Sequence, residues 1–262
     1  MRISLFGTLL FAVALIHPGI AAAGDKSGPE KPTIVLVHGA FAESSSWDSV
    51  VARLNKDGYR VIAAANPLRS VASDAAAVSR IVKSVDGPVV LVGHSYGGPV
   101  ITEAAAGNAN VTALVYVAAF APDVGETSLS LSAKFPGSTL GASLTTVALP
   151  DGGEDLYIQT DKFRAQFAAD VPAAKTALMA ASQRPVTLAA LGEPSRTASW
   201  KTLPSYVIYG TADRNIPAAV MKFMAVRARA RDTVAIAGAS HALMVSHPAE
   251  VAAMIEEAAG AK

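Results

Sequence analysis

A serine, an aspartate and a histidine on three separate turns are the residues of this chain whose types and order suit covalent chemistry. Ser95 lies in Gly93-His94-Ser95-Tyr96-Gly97. The apolar run Val89-Val90-Leu91-Val92 precedes it, and Pro99 to Ala106 has the pattern of a helix start. In a strand, sharp turn and helix, Gly-x-Ser-x-Gly lifts the serine hydroxyl clear of the sheet on strained backbone. Gly93 and Gly97 are expected to leave room for neighbouring backbone. A serine hydroxyl is a weak nucleophile at neutral pH and needs an adjacent base. Two later turns supply candidates: Gly210-Thr211-Ala212-Asp213-Arg214, and Gly238-Ala239-Ser240-His241. His241 is the expected base, with Asp213 holding its second nitrogen and stabilising the imidazolium. The amides of Tyr96, at the new helix N-terminus, and of Ala40, in His38-Gly39-Ala40-Phe41, are the expected oxyanion donors.

Each residue has a competing reading. Asp213 could instead cap the helix that follows it. Asp123 is a rival acid, because it too follows a strand end. His94 adjoins the nucleophile, but neighbours on a turn point apart, so packing under the elbow suits it better than acting as base. His38 is expected to shape its loop through hydrogen bonds, and His247 to lead into the last helix. Phe41 and Phe120 are expected in the substrate pocket.

These turns need a scaffold that brings them to one edge. Thr33 to Val37, Tyr59 to Ala64, Val89 to Val92, Val111 to Val117, Pro204 to Gly210 and Thr233 to Ile236 read as strands, the first a continuous apolar run suited to a doubly covered position. Helical patterns separate them at Ser46 to Asp57, Ser73 to Val85, Ala218 to Ala230 and Pro248 to Ala259. Such alternation predicts an α/β fold, a mostly parallel central sheet with helices on both faces. From about 123 to 200 the pattern changes to Ser/Thr/Gly-rich turns and short helical stretches, such as Lys162 to Ala169 and Ala173 to Ala181, without a clear central strand. That segment reads as a small inserted cap over the strands' C-terminal edge.

The 262 residues, 51% hydrophobic and 16% charged, suit one large α/β domain rather than a disordered chain. A formal net charge of +1 argues against nucleic acid or another polyanion as partner. The absence of cysteine excludes disulfides, thiolate catalysis and cysteine-ligated metals. Met1-Arg2, the apolar run Ile3 to Ile16 and the closing Ala21-Ala22-Ala23 have the layout of a secretory signal peptide, residues 1–23, followed by a tether at 24–32 and the domain at 33–262. His17, Pro18 and Gly19 break the run, which disfavours an uncleaved membrane anchor. Arg2 is the only charged residue of 1–23, so the mature chain would be formally neutral, secreted or periplasmic, and without membrane contact after cleavage.

Five segments together resemble the α/β-hydrolase superfamily over residues 33 to about 260. Within it the chain is most similar to the small esterase branch of plant methylesterases, salicylate-esterase-like bacterial proteins and hydroxynitrile lyases. The segments are Val37-His38-Gly39-Ala40-Phe41 with Trp47, Gly93-His94-Ser95-Tyr96-Gly97-Gly98, Tyr116-Val117-Ala118-Ala119-Phe120-Ala121-Pro122, Ala212-Asp213-Arg214-Asn215-Ile216-Pro217 and Gly238-Ala239-Ser240-His241. The resemblance implies catalysis by Ser95, Asp213 and His241, with an oxyanion site at Ala40 and Tyr96. Hydroxynitrile lyases of this branch use a cap lysine, and none of Lys134, Lys162, Lys175 and Lys201 sits in a matching motif. Hydrolysis of small carboxylic esters through an acyl-enzyme, with no metal or organic cofactor, is therefore the leading expectation. Lactonase, perhydrolase or lyase chemistry, and a non-catalytic receptor on the same fold, are the alternatives. The cap carries few charges, which suits a modest apolar acyl or alcohol group.

Overall fold

A computed structural model describes residues 31–150 and 152–260. The expected signal peptide and all but the last two residues of the expected tether lie outside the described residues. Six strands form one wholly parallel sheet in the order β2-β1-β3-β4-β8-β9. They are β1 (Thr33–Val37), β2 (Val61–Ala64), β3 (Val89–His94), β4 (Val111–Val117), β8 (Ser205–Gly210) and β9 (Asp232–Ile236). Every residue of β1 and β3 is buried, which explains their unbroken apolar runs. The edge strand β9 instead alternates between half-buried and exposed residues.

The chain runs outward from β1 to β2 and then crosses back over β1 to β3. With right-handed crossovers, that reversal puts α1 (Asp48–Lys56) and α2 (Val71–Lys83) on opposite faces. α1 packs with α10 (Pro248–Gly260), and α2 with α3 (Gly97–Ala105). Helix α2 starts two residues before the sequence pattern suggests. Ser70 caps it by accepting from Ser73 N at 3.0 Å, and Glu193 accepts from Val71 N at 2.5 Å. The reversal also opens a crevice at the C-terminal ends of β1 and β3, where ligands bind in open α/β sheets.

β4 and β8 are neighbours in the sheet, so everything between them in sequence is an excursion from it. That excursion contains α4 (Ser128–Ser132), β5 (Leu144–Ala148), β6 (Glu154–Ile158), α5 (Thr160–Phe167), α6 (Ala173–Ala181), β7 (Val186–Thr187) and α7 (Leu188–Gly192). None of its strands joins the main sheet, but β5, β6 and β7 pair into an antiparallel sheet of their own, a feature that the turn-rich sequence did not reveal. Arg69 fastens this cap to the core through an ion pair with Asp155 at 2.7 Å and a hydrogen bond to Pro185 O at 2.8 Å. The chain closes with α8 (Ala218–Ala228) and α9 (Leu243–Ser246) ahead of α10. No helix among the described residues is long and apolar enough to cross a membrane.

Candidate active site

Ser95 sits between β3 and α3 with φ of +53°, a left-handed conformation that a serine adopts only where its surroundings enforce it. Close backbone approach is the enforcing element. A Cβ at Gly93 would lie 2.6 Å from Gly97 O, and one at Gly97 would lie 2.5 Å from Val37 O. At Gly98, outside the five-residue motif, a Cβ would run into Phe120 O.

The turn after β8 gives Asp213 two tasks at once. Oδ1 accepts from Asn215 N at 2.7 Å and Ile216 N at 3.0 Å, so the carboxylate does organise its own turn. Oδ2 accepts from His241 Nδ1 at 2.6 Å, with both side chains fully buried. With its proton on Nδ1, His241 keeps a lone pair on Nε2, which is buried and has no protein partner. No hydrogen bond yet joins Nε2 to Ser95 Oγ; such contacts commonly tighten when substrate is bound. The rival acid, Asp123, is elsewhere: it pairs with Lys201 at 2.5 Å, and that hydrogen bond holds its carboxyl below the usual range.

The other histidines have separate surroundings. His94 Nε2 donates to His241 O at 3.1 Å, and its ring packs against Trp47, Phe167 and His241. Burial, then the neighbouring His241, holds it well below the ordinary imidazole range, so it stays neutral. His38 Nε2 accepts from Asn66 N at 3.0 Å, which leaves the proton on Nδ1, 3.0 Å from Gly39 O. His247 lies beside Ser246 Oγ, at 2.9 Å, immediately before α10.

Ala40, Phe41, Ser95, Tyr96 and Phe120 all line one chamber of about 50 Å³. The amides of Ala40 and Tyr96 donate to no protein carbonyl among the described residues, whereas the next amide, Phe41 N, is taken by Arg184 O at 3.0 Å. The Tyr96 ring is anchored beneath the elbow. Its hydroxyl donates to Asp74 Oδ2 at 3.0 Å, and burial pushes that hydroxyl far above its usual range, so it remains a donor. Asp74 is itself fully buried, and burial raises its carboxyl despite donors from Arg69, Tyr96 and Ser73. Leu129, Leu140 and Leu191 close the chamber on the cap side, and Ser128 Oγ lines it without a protein partner.

The cap also reaches the turns that carry Asp213 and His241. Gln166 Nε2 donates to Arg214 O at 2.9 Å and to Asn215 Oδ1 at 2.8 Å, beside Asp213. Phe167 O accepts from Ala242 N at 3.0 Å, and its ring meets His241 edge-on at 5.1 Å. Asp170 accepts from the backbone and hydroxyl of Ser240. No local motif marks Gln166, Phe167 or Asp170. Each acts across the chain, and only the strand and turn patterns that they hold are visible in sequence.

A sheet with this strand order, a strained serine elbow and a buried acid–histidine pair defines an α/β-hydrolase architecture. The sequence model of the Alpha/beta hydrolase family matches residues 34–254, and the chain belongs to that family. Over 251 residues it is 28% identical to the alpha/beta hydrolase nvfD of Aspergillus novofumigatus, covering 88% of this chain and 97% of that protein. Among solved structures, polyneuridine aldehyde esterase aligns with a TM-score of 0.76 at 19% identity, over 87% of this chain and 99% of that one. A methylesterase from Arabidopsis aligns with a TM-score of 0.72 at 16% identity, over 87% and 98% respectively. At these identities the structural likeness is one of fold.

Proposed function

We propose that this protein is a carboxylic ester hydrolase that works through an acyl-enzyme on Ser95, His241 and Asp213. The observation that carries the reading is the buried Asp213–His241 pair, with a free Nε2, beside a chamber shared by a strained serine and two unbonded amides. His241 Nε2 takes the Ser95 proton as Oγ attacks the ester carbonyl. The oxyanion is received by the amides of Tyr96 and Ala40, each such donor being worth about 3–4 kcal/mol of barrier. On collapse the alcohol leaves with the proton from His241, and the acyl group stays on Ser95. Water, deprotonated by His241, then releases the acid and restores the serine. Asp213 keeps the imidazole in its Nδ1–H form and stabilises the cation in both halves.

Lyase chemistry has less support. None of the four cap lysines lines the chamber. Lys134 lies over the Phe223 ring at 4.8 Å, Lys162 donates to Ala142 O at 2.8 Å, and Lys201 pairs with Asp123. Turnover of p-nitrophenyl acetate by the purified protein, lost in Ser95→Ala and accompanied in the wild type by a transient mass gain of one acetyl group, is the expected result. No turnover, or equal turnover by Ser95→Ala, overturns the reading. We propose further that residues 1–23 direct secretion and are removed. N-terminal sequencing should find the mature chain starting at Gly24, and a mature chain starting at Met1 would overturn this.

A further inference from the structure

Beyond the closed chamber lies an open cleft in the cap of about 880 Å³. Its walls include Leu129, Phe135, Leu140, Leu144, Leu188 and Leu191. The two spaces adjoin across a shared wall, since Leu129, Ser132, Leu140 and Leu191 line both. Their sizes are very unequal: the inner one has roughly the room of a few water molecules, whereas the outer one falls within the range of small-molecule sites. Leu129 and Leu188 are 44% and 42% exposed, although large apolar side chains gain most when covered. Two charged residues border the cleft, Lys134, which is drawn over the Phe223 ring, and Glu154, which is exposed on β6; the six leucine and phenylalanine side chains named above form the apolar part of the wall.

Resting on the ester-hydrolase reading, we propose that the protein selects esters with one small and one extended apolar substituent. The small side fills the chamber beside Ser95. The extended side passes Leu129 and Leu191 and lies along the cap cleft against Leu188. The occupant is argued from this adjacency: for a substituent too large for the nucleophile's chamber, the leucine-walled cleft is the neighbouring space, reached past the side chains that the two share. Which side of the ester carries the extended group is a property that the same experiment reads.

Hydrolysis of two series, ethyl esters of lengthening acids and acetates of lengthening alcohols, should be followed by acid release, with Ser95→Ala as blank. One series should gain kcat/KM by roughly two- to fourfold per added methylene, and the other should fall beyond its first members. Leu188→Lys should flatten the rising series. Leu178→Lys, at a leucine that is 68% exposed on α6 and outside the cleft, should leave its slope unchanged. If Ser95-dependent hydrolysis shows no gain in either series, or equal gains in both, or a slope indifferent to Leu188→Lys, the two-compartment proposal fails while the ester-hydrolase reading stands. If no ester is hydrolysed in a Ser95-dependent way, both fall.

Discussion

Asp170, in the cap, holds Ser240, the residue immediately before His241. Its carboxylate accepts from Ser240 N at 3.2 Å and from the Ser240 hydroxyl. On the other side of His241, Ala242 N donates to Phe167 O, again in the cap. The proposed base is thus bracketed fore and aft by one short stretch of the insertion, while Asp213 orients its ring from the core. Burial alone would raise the Asp170 carboxyl, yet hydrogen bonds from Ser240 and Ser246 bring it below its ordinary value.

Asp170→Asn should therefore act on turnover more than on substrate affinity. A base displaced by about 1 Å can cost on the order of 100-fold in rate, and a kcat loss of about 10- to 100-fold with KM little changed is expected. Steady-state kinetics on a short ester, with a melting curve to confirm the fold, measure it. An unchanged kcat alongside a lowered Tm would show that the contact serves stability alone.

The two candidate acids give opposite expectations. Asp213→Asn removes the charge bonded to His241 Nδ1 and disturbs the tautomer, for which a kcat loss of about 10³- to 10⁴-fold is expected. Asp123→Asn, which breaks an exposed pair with Lys201, should leave kcat within about twofold of wild type. A large loss in the second variant with none in the first would reverse the assignment.

Tyr96→Phe deletes a hydroxyl donor to the buried Asp74, leaving the carboxylate with Arg69 N, at 3.3 and 3.2 Å to its two oxygens, and Ser73 Oγ at 3.1 Å. Loss of one partner from a buried polar group costs about 1–3 kcal/mol. The variant should be less stable by that amount in urea unfolding, with a correspondingly lower midpoint. It should also lose some kcat, because the Tyr96 amide is a proposed oxyanion donor. Unaltered stability would mean that Asp74 finds another donor.

Stability should fall on mild acidification. His38 and His94 are both lowered from 6.5, chiefly by burial. Below about pH 6.5 the unfolded chain takes up these protons and the folded chain does not, so each pH unit removes up to about 1.4 kcal/mol per histidine until the folded pKa is reached. Asp74 has the opposite sign. Its raised carboxyl makes the folded state bind a proton first, so the penalty that it imposes when ionised is relieved as the pH drops through that raised value toward 3.8. Urea midpoints at pH 7.5, 6.5 and 5.5 should decline together, and less steeply in His38→Asn. A flat profile over that range would contradict the buried neutral assignment.

The main sheet was legible because a strand covered on both faces strongly favours apolar side chains, as in 34–37 and 89–92. The elbow was legible because its glycines are required by backbone contacts that no other residue survives. The cap sheet was not. Thr145 to Ala148 are exposed, and β7 is only two residues long, so neither leaves a periodic signature. Asp170 was equally silent, since its partner Ser240 lies 70 residues away and a lone aspartate on a turn has many uses.

The insertion is divided in its allegiance. Gln166, Phe167 and Asp170 are bound to the turns that present Asp213 and His241, so this piece travels with the proposed acid and base even though it lies in the excursion. Helices α4 and α7 and strand β5 touch the leucine-walled cleft, but the link between α4 and β5 also holds the Asp213 turn, with Thr139 N donating to Arg214 O at 3.0 Å and Ser138 Oγ to Asn215 O at 2.9 Å. Grafting a foreign cap wholesale would import a new pocket and dismantle the mounting of His241 in the same stroke. Exchanging only α4, β5 and α7, with 138–143 and 163–170 retained, is the recombination that this architecture permits, and those are the parts of the chain in which new substrate ranges can accumulate without re-inventing the proposed chemistry.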